Sequence, residues 1–145
     1  MNLATLFVRG EGEFIVKIIL CLIIGIAIGA ERESRKKDAG ISTHSLVILG
    51  SMLFTFLSMQ VDPASTSRIA AQIVSGIGFL GAGLILKEGT SVKNLTTATS
   101  IWFAGSIGMA IGFGFYFVAV IAAFAAFAAI FVPRIPHVDI LHSDA

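Results

Sequence analysis

The sequence predicts an all-α polytopic membrane protein with about five transmembrane helices in a glycine-rich bundle. Hydrophobic residues make up 56% of the 145 residues and charged residues only 13%, with a mean hydropathy of +0.92. This composition is far more apolar than that of a soluble domain. The apolar residues also fall into runs long enough to cross a bilayer, separated by short loops that carry most of the charge. A net charge of +1 gives no sign of a nucleic-acid partner.

About 20 apolar residues cross the hydrocarbon core as a helix, and somewhat shorter runs are tolerated when tilted. The predicted spans are residues 14–30, 45–60, 68–86, 94–111 and 116–132. The last two come from one uncharged stretch between Lys93 and Arg134, which is too long for a single span. We place the turn between them at the glycine-rich GFGFY, residues 112–116.

The end of the last span is marked by Pro133 and Pro136, because proline cannot continue a helix. We therefore expect one transmembrane domain over residues 1–136 and a short cytoplasmic tail over residues 137–145. Near the other end of the chain, we expect Lys17 to extend its ammonium group outward from the first span.

Lysine and arginine are concentrated in the loops of one side, which predicts the orientation in the membrane. The residues on that side are Arg32, Arg35, Lys36, Lys37, Lys87, Lys93 and Arg134. The opposite side carries Arg9 and Arg68. We therefore expect the N-terminus outside and the C-terminus in the cytoplasm.

The third span contains SGIGFLGAG, residues 75–83, with the glycine spacing of a dinucleotide-binding loop at Gly76, Gly78 and Gly81. That motif needs a strand before it and a soluble parallel sheet around it, and neither is predicted here. At about 100° per residue, Gly76 and Gly83 share one face, and Gly78 and Gly81 lie nearly opposite. We interpret the motif as a packing seam on two sides of a central helix.

The neighbouring spans carry matching small residues. The first span has the pair Gly25 and Gly29, and the fourth has Gly108 and Gly112 with Gly105 on the same stripe. Small residues allow helices to approach closely in lipid. We expect spans one, three and four to form the tight core, although the sequence leaves open a homodimer face for some of these stripes.

A cluster of polar residues is predicted at the cytoplasmic edge. Its members are Glu31, Arg32, Glu33, Thr43, His44, Asn94, Thr96 and Thr97. A continued first helix would turn Glu33 and Arg32 towards the bundle, which favours a functional role, whereas ordinary anchoring at the membrane surface is the alternative. A carboxylate beside a histidine can bind a divalent cation or relay a proton. Two carboxylates are few protein ligands for Mg²⁺, and Arg32 competes for their oxygens. We therefore assign no set of metal ligands.

On the outer side, the candidates are Asp62, Arg68 and Gln72. Asp62 and Arg68 can pair at the start of the third helix. Gln72 needs a partner in a neighbouring helix or in a water-filled cavity. The hydroxyl groups of the fourth span, including those of Thr99 and Ser100, favour helix packing as their role.

Three segments carry a family resemblance. They are GAERESRKKDAGISTHSLVILGSMLFT at residues 29–55, SRIAAQIVSGIGFLGAGLILKEG at residues 67–89 and VKNLTTATSIWFAGSIGMAIG at residues 92–112. They resemble the membrane domain of the MgtC/SapB family over roughly residues 25–112. The sequence departs from the family pattern at Ser42, where members commonly have arginine two residues before the histidine. The name-giving member also has a cytoplasmic domain resembling an ACT domain after its last span, and we expect the membrane module alone here.

The resemblance implies a bacterial inner-membrane protein tied to magnesium limitation, stress and survival in host cells. It also implies action on other membrane proteins, including the proton-translocating ATP synthase. Two functions follow: a regulatory protein that binds membrane partners, and, as the alternative, a transporter or channel for Mg²⁺ or protons. An enzyme is not expected, because no nucleophile with a base, metal motif or cofactor fold is found.

Overall fold

The computed structural model describes residues 11–61, 63–89 and 91–131 and contains five helices. They are α1 (Glu11–Ser34), α2 (Ile41–Val61), α3 (Ser67–Leu84), α4 (Leu95–Gly112) and α5 (Tyr116–Phe131). The first four are long and apolar enough to cross a membrane, whereas α5 is a shorter apolar helix. The predicted fold class, an all-α polytopic membrane protein, is confirmed. The tail at residues 137–145, together with Pro133 and Pro136, lies outside the described residues.

Three of the connections between helices contain residues with a left-handed backbone conformation. Lys36 follows α1 with a φ of 54°, and Asn94 precedes α4 with a φ of 64°. Gly114, with a φ of 83°, lies between α4 and α5, where Phe115 N donates to Ala110 O at 2.8 Å. Such a conformation after a helix favours glycine. The turn predicted at residues 112–116 is therefore present.

A short antiparallel hairpin connects α3 to α4. Its strands are β1 (Leu86–Glu88) and β2 (Ser91–Lys93), with Leu86 paired to Lys93. The expected third span reaches residue 86, whereas α3 ends at Leu84. The chain turns at Gly89, whose φ is 60°.

The centre of the bundle is the packing of α2 against α1 and α4. The buried face of α2 is small and largely polar, consisting of His44, Ser45, Ile48, Ser51, Met52, Thr55 and Ser58. Glycines of the neighbouring helices lie against this face. A Cβ at Gly25 of α1 would lie 2.6 Å from Ser45 Cα, and one at Gly112 of α4 would lie 2.5 Å from Thr55 Cβ.

Two further glycines show the same close approach. A Cβ at Gly29 would collide with the backbone of Ile41, and one at Gly108 would collide with the carbonyl oxygen of Ile48. Backbones can approach this closely only where the side chain is a hydrogen atom. The interfaces α1–α2 and α2–α4 therefore depend on glycine.

The prediction that α3 is the central helix is wrong. Within the described chain, no atom lies within 4 Å of a Cβ built at Gly76, Gly78 or Gly83, and Gly81 makes only an ordinary contact with Ala98 at 3.6 Å. Helix α3 instead packs on α2 and α4 through Ala70, Ile73, Ile77 and Gly81. These four residues form one side of α3, which lies at the edge of the bundle. The other glycines of α3 face away from α2 and α4. The expected core of spans one, three and four is therefore replaced by α1, α2 and α4.

The bundle has two ends, which we name after a buried cation in each. At the Arg32 end, α1 and α3 finish and α2 and α4 begin. At the Lys17 end, α2 finishes, α3 begins and α4 turns into α5. Between them lies an apolar cluster that includes Ile28, Ile48 and Ile107, each no more than 1% exposed.

We predict that Gly108→Ala lowers the free energy of unfolding by about 1–3 kcal/mol, because the added methyl group overpacks the α2–α4 interface. The matched control is Gly76→Ala, which has open space and gains helix propensity of at most about 1 kcal/mol. Thermal unfolding of both variants in detergent micelles measures the difference. Equal stability of the two variants would contradict this packing.

Candidate functional site

Arg32 is the buried charge at the Arg32 end of the bundle. It lies in the last turn of α1 and is 2% exposed. Its Nη2 donates a hydrogen bond to Thr97 Oγ1 in α4 at 3.3 Å. Because a buried arginine needs partners for several N–H groups, this contact ties α1 to the first turns of α4.

Glu31 provides the neighbouring negative charge. Its Oε1 lies 2.5 Å from Arg35 Nε one turn later. Its Oε2 and Arg32 Nε are buried, and neither atom has a hydrogen-bond partner within the described part of the chain. A buried acceptor and a buried donor without protein partners are the kind of groups that water or a polar ligand satisfies.

His44 lies one turn into α2 and is fully buried. Its Nδ1 is 2.9 Å from Gly40 O, and its Nε2 is 3.2 Å from Ser100 Oγ in α4. Ser100 Oγ in turn donates to Thr97 O at 2.7 Å. Thr97 therefore links the arginine and the histidine, and the two residues belong to one polar cluster.

Glu33 serves a different role from the one expected. Its side chain is exposed, and its Oε1 accepts a hydrogen bond from the backbone N–H of Ile41 at 2.9 Å. Ile41 is the first residue of α2, whose leading N–H groups have no partner inside the helix. Glu33 thus caps α2 from the preceding helix and does not point into the bundle. Glu33 takes this position because the chain turns back towards α1 at Gly40, which lies directly against the Glu33 side chain.

The remaining predicted members of the cytoplasmic cluster are not drawn into it. Thr43 is half-buried on α2 and Thr96 is exposed on α4. Asn94 precedes α4, and its side chain makes no capping hydrogen bond. The structure thus brings together Glu31, Arg32, His44 and Thr97 and adds Ser100, which the sequence analysis treated as a packing hydroxyl.

A cavity of about 400 Å³ adjoins this cluster between α1, α4 and α5. Most of its lining is apolar, including Ile28 and Ile130, and its hydroxyl groups are those of Thr96, Thr99 and Ser100. Thr96 lies at the start of α4 and Ile130 near the end of α5, so the cavity reaches the Arg32 end of the bundle.

Glu31 and His44 are the members of this cluster that could act as metal ligands. Within residues 11–61, 63–89 and 91–131, no group of three or more His, Cys, Asp and Glu side chains lies close enough to share an ion. Glu31 is flanked by the cations Arg32 and Arg35, which compete for its oxygens. The cluster is thus better suited to hydrogen bonding than to holding Mg²⁺.

Of the three outer candidates, the structure describes only Arg68 and Gln72. Asp62 lies outside the described residues, and Arg68 and Gln72 are exposed on α3. Gln72 lines a groove of about 550 Å³ between α2 and α3, together with Gly76 and Phe54.

A second buried cation, at the Lys17 end, was missed. Lys17 is 2% exposed; its Nζ donates to Gly112 O at 2.9 Å and lies 3.1 Å from Glu13 Oε1. The same carboxylate accepts a hydrogen bond from Tyr116 OH at 2.9 Å. Lys17 therefore joins α1 to the turn between α4 and α5 and does not extend outward as expected. The spacing of Glu13 and Lys17 was the available signal, because residues four apart share a helix face.

These features define a multi-pass α-helical membrane protein with a buried polar cluster at one end of the bundle. A model of the MgtC family matches residues 18–137, and the chain belongs to that family. The expected resemblance is confirmed.

Relatives of this chain are found in several bacteria. It is 46% identical over 101 residues to "Protein MgtC" of Salmonella typhimurium strain LT2, covering 70% of this chain and 44% of that protein. It is also 46% identical over 116 residues to "Putative magnesium transporter YhiD" of Escherichia coli K12, covering 72% and 53%. An uncharacterised protein of Synechocystis is 41% identical over 110 residues, covering 75% and 47%. The chain thus spans about half the length of the curated relatives it matches, and no solved structure matches it.

We predict that Glu33→Ala lowers the free energy of unfolding by about 1 kcal/mol, because α2 loses its cap. Glu33→Gln keeps an oxygen acceptor and should retain most of the wild-type stability. Denaturant unfolding in micelles compares the two variants. A glutamine variant as unstable as the alanine variant would show that the charge of Glu33, and not its capping oxygen, stabilises the protein.

Proposed function

We propose that this protein is a regulatory module of the bacterial inner membrane that binds other membrane proteins through the outward face of α3. The observation that carries the proposal is the row of α3 glycines that the described chain leaves uncovered. Within the described residues, no atom lies within 4 Å of a Cβ at Gly76 or Gly83. Small residues are characteristic of helix contacts in membranes, since they allow backbones to approach.

The outward face of α3, here called the α3 surface, consists of Arg68, Gln72, Gly76, Phe79 and Gly83. All five are exposed, and their spacing of three or four residues places them on one side of the helix. Gln72 adds an amide that can donate and accept hydrogen bonds, which is costly to leave without a partner in lipid. The groove beside it, lined by Leu46, Phe54 and Ile69 among others, offers space for the side chains of a second helix.

The interior of the bundle gives less support to transport, which is the alternative function. Buried apolar side chains, among them Cys21, Met52 and Ile111, lie between the polar groups of the two ends, and the buried hydroxyl groups there belong to α2. A permeating ion needs polar ligands or water in place of its hydration shell. The alternative draws its support from the buried cluster of Arg32 and His44 and from the relative whose name mentions magnesium transport.

The partner is proposed from the family resemblance as the proton-translocating ATP synthase, and the setting as magnesium limitation or another stress. A regulator of this kind acts by binding one state of its partner more tightly than another. The lipid-facing position of the α3 surface suits contact with a transmembrane helix of the partner, and a second copy of this chain would be a competing occupant.

The test is reconstitution of the ATP synthase in liposomes with and without this protein, measuring ATP-driven proton uptake with a trapped dye. We expect the protein to change the uptake rate about fivefold, the lower end of typical coupling between sites. The double variant Gly76→Leu and Gly83→Leu should abolish this effect, because the leucines block the approach of a helix. Val118→Leu, on the exposed side of α5, is the matched control and should act like wild type.

Liposomes that contain this protein alone separate the two functions. Regulation predicts no flux of Mg²⁺ or protons above that of empty liposomes. Flux that His44→Ala removes would contradict the proposal in favour of transport. An effect on the ATP synthase that survives the double leucine variant would reject the α3 surface, and no effect at all would reject this partner.

A further inference from the structure

His44 is a titratable side chain that the proposed function does not use, and its surroundings fix how it can carry protons. Its Nδ1 lies 2.9 Å from Gly40 O. A carbonyl oxygen only accepts hydrogen bonds, so Nδ1 must carry a proton in both charge states of the ring. Only Nε2 is left to gain or lose one, and neutral His44 is held as the Nδ1–H tautomer.

Nε2 faces a hydroxyl group that can donate its hydrogen bond to either of two acceptors. Ser100 Oγ lies 3.2 Å from His44 Nε2 and 2.7 Å from Thr97 O. When the ring is neutral, the Ser100 hydroxyl donates to the lone pair of Nε2. When the ring is charged, Nε2–H donates to Ser100 Oγ, and the hydroxyl turns to Thr97 O. The charge of His44 and the direction of the Ser100 hydroxyl are therefore linked.

The same hydroxyl is the connection between the buried ring and the cavity. His44 is 0% exposed, whereas Ser100 is half-buried and lines the cavity of about 400 Å³ together with Thr96 and Thr99. Because this cavity reaches the Arg32 end of the bundle, water entering there approaches Ser100 before His44. Three hydroxyl groups on one wall offer such water hydrogen-bond partners.

The charged groups around His44 come from α1. Glu31 and Arg32 both act electrostatically on the ring, with opposite signs. On α4 the facing groups are the uncharged Thr97 and Ser100. Helix α3 has no ionisable side chain between Arg68 and its end, and the described residues of α5 contribute only Tyr116, at the opposite end of the bundle.

We propose that His44 is a proton-binding site that receives its proton from this cavity through Ser100. A hydronium ion in the cavity gives a proton to Ser100 Oγ while Ser100 passes its own proton to His44 Nε2. One O–H bond forms at Ser100 as another breaks, the cavity keeps a water molecule, and His44 ends with two N–H bonds. The Ser100 hydroxyl then turns to Thr97 O. This site is independent of the α3 surface.

The test is NMR of the full chain in lipid nanodiscs with ¹⁵N-labelled histidine, recorded from about pH 4 to pH 9 to bracket the ordinary titration of histidine. The neutral ring should carry its proton on Nδ1. The ¹³C signals of Ser100 Cβ and of the Thr97 carbonyl should follow the same pH curve as the ring nitrogens. Exchange of the Nε2 proton with water should slow about tenfold or more in Ser100→Ala, which removes the relay.

The matched control is Thr99→Val, which removes a hydroxyl from the same cavity wall without changing the group that faces His44. It should leave the exchange rate and the tautomer as in wild type. The proposal is overturned if the neutral ring is protonated on Nε2 or if the ring does not titrate. It is also overturned if the Ser100 and Thr97 signals do not change as the ring titrates. Equal slowing in Ser100→Ala and Thr99→Val would also overturn it. The tautomer is read from the wild-type chain, so one decisive result does not depend on any variant folding.

Discussion

The close approach of α2 to the glycines of α1 and α4 is the constraint on which the other features depend. Lipid gives no hydrophobic drive between helices, so contact and hydrogen bonding must hold the bundle together. Ser45, Ser51 and Thr55 give α2 a face short enough for the glycines to reach. This contact sets the order of the helices, and it places α3 outside the core.

The same packing sets where charge can be buried. Arg32 and Lys17 lie at opposite ends of α1, and each bonds to an atom of α4: Thr97 Oγ1 for Arg32 and Gly112 O for Lys17. The apolar cluster between them keeps both polar groups near the membrane surfaces, where their burial costs less than at the centre. The interior thus acts as a scaffold. The buried charged groups lie at the two ends of the bundle, and its uncovered helix surface lies on α3.

Much of the fold follows from the sequence, because apolar runs and charged loops mark the spans directly. The turn at residues 112–116 and the glycine pairs of α1 and α4 were also visible there. The packing order of the helices was not visible. A helix of glycine and large apolar residues has the same sequence pattern whether other helices or lipid cover it, as Gly76 shows. Glu33 and Lys17 were misplaced for a related reason. Their contacts depend on a reversal of the chain at Gly40 and on Gly112, far away in sequence.

The most direct measurement is a nitroxide scan along α3, residues 70–84, in nanodiscs that hold one copy of the chain, with Cys21 replaced by alanine. Accessibility to oxygen dissolved in lipid should be high at positions 72, 76, 79 and 83 and low at 70, 73, 77 and 81. That pattern would establish α3 as an edge helix with a free surface. Uniformly low accessibility around the helix would make α3 the centre of the bundle and contradict both the packing order and the proposed binding surface.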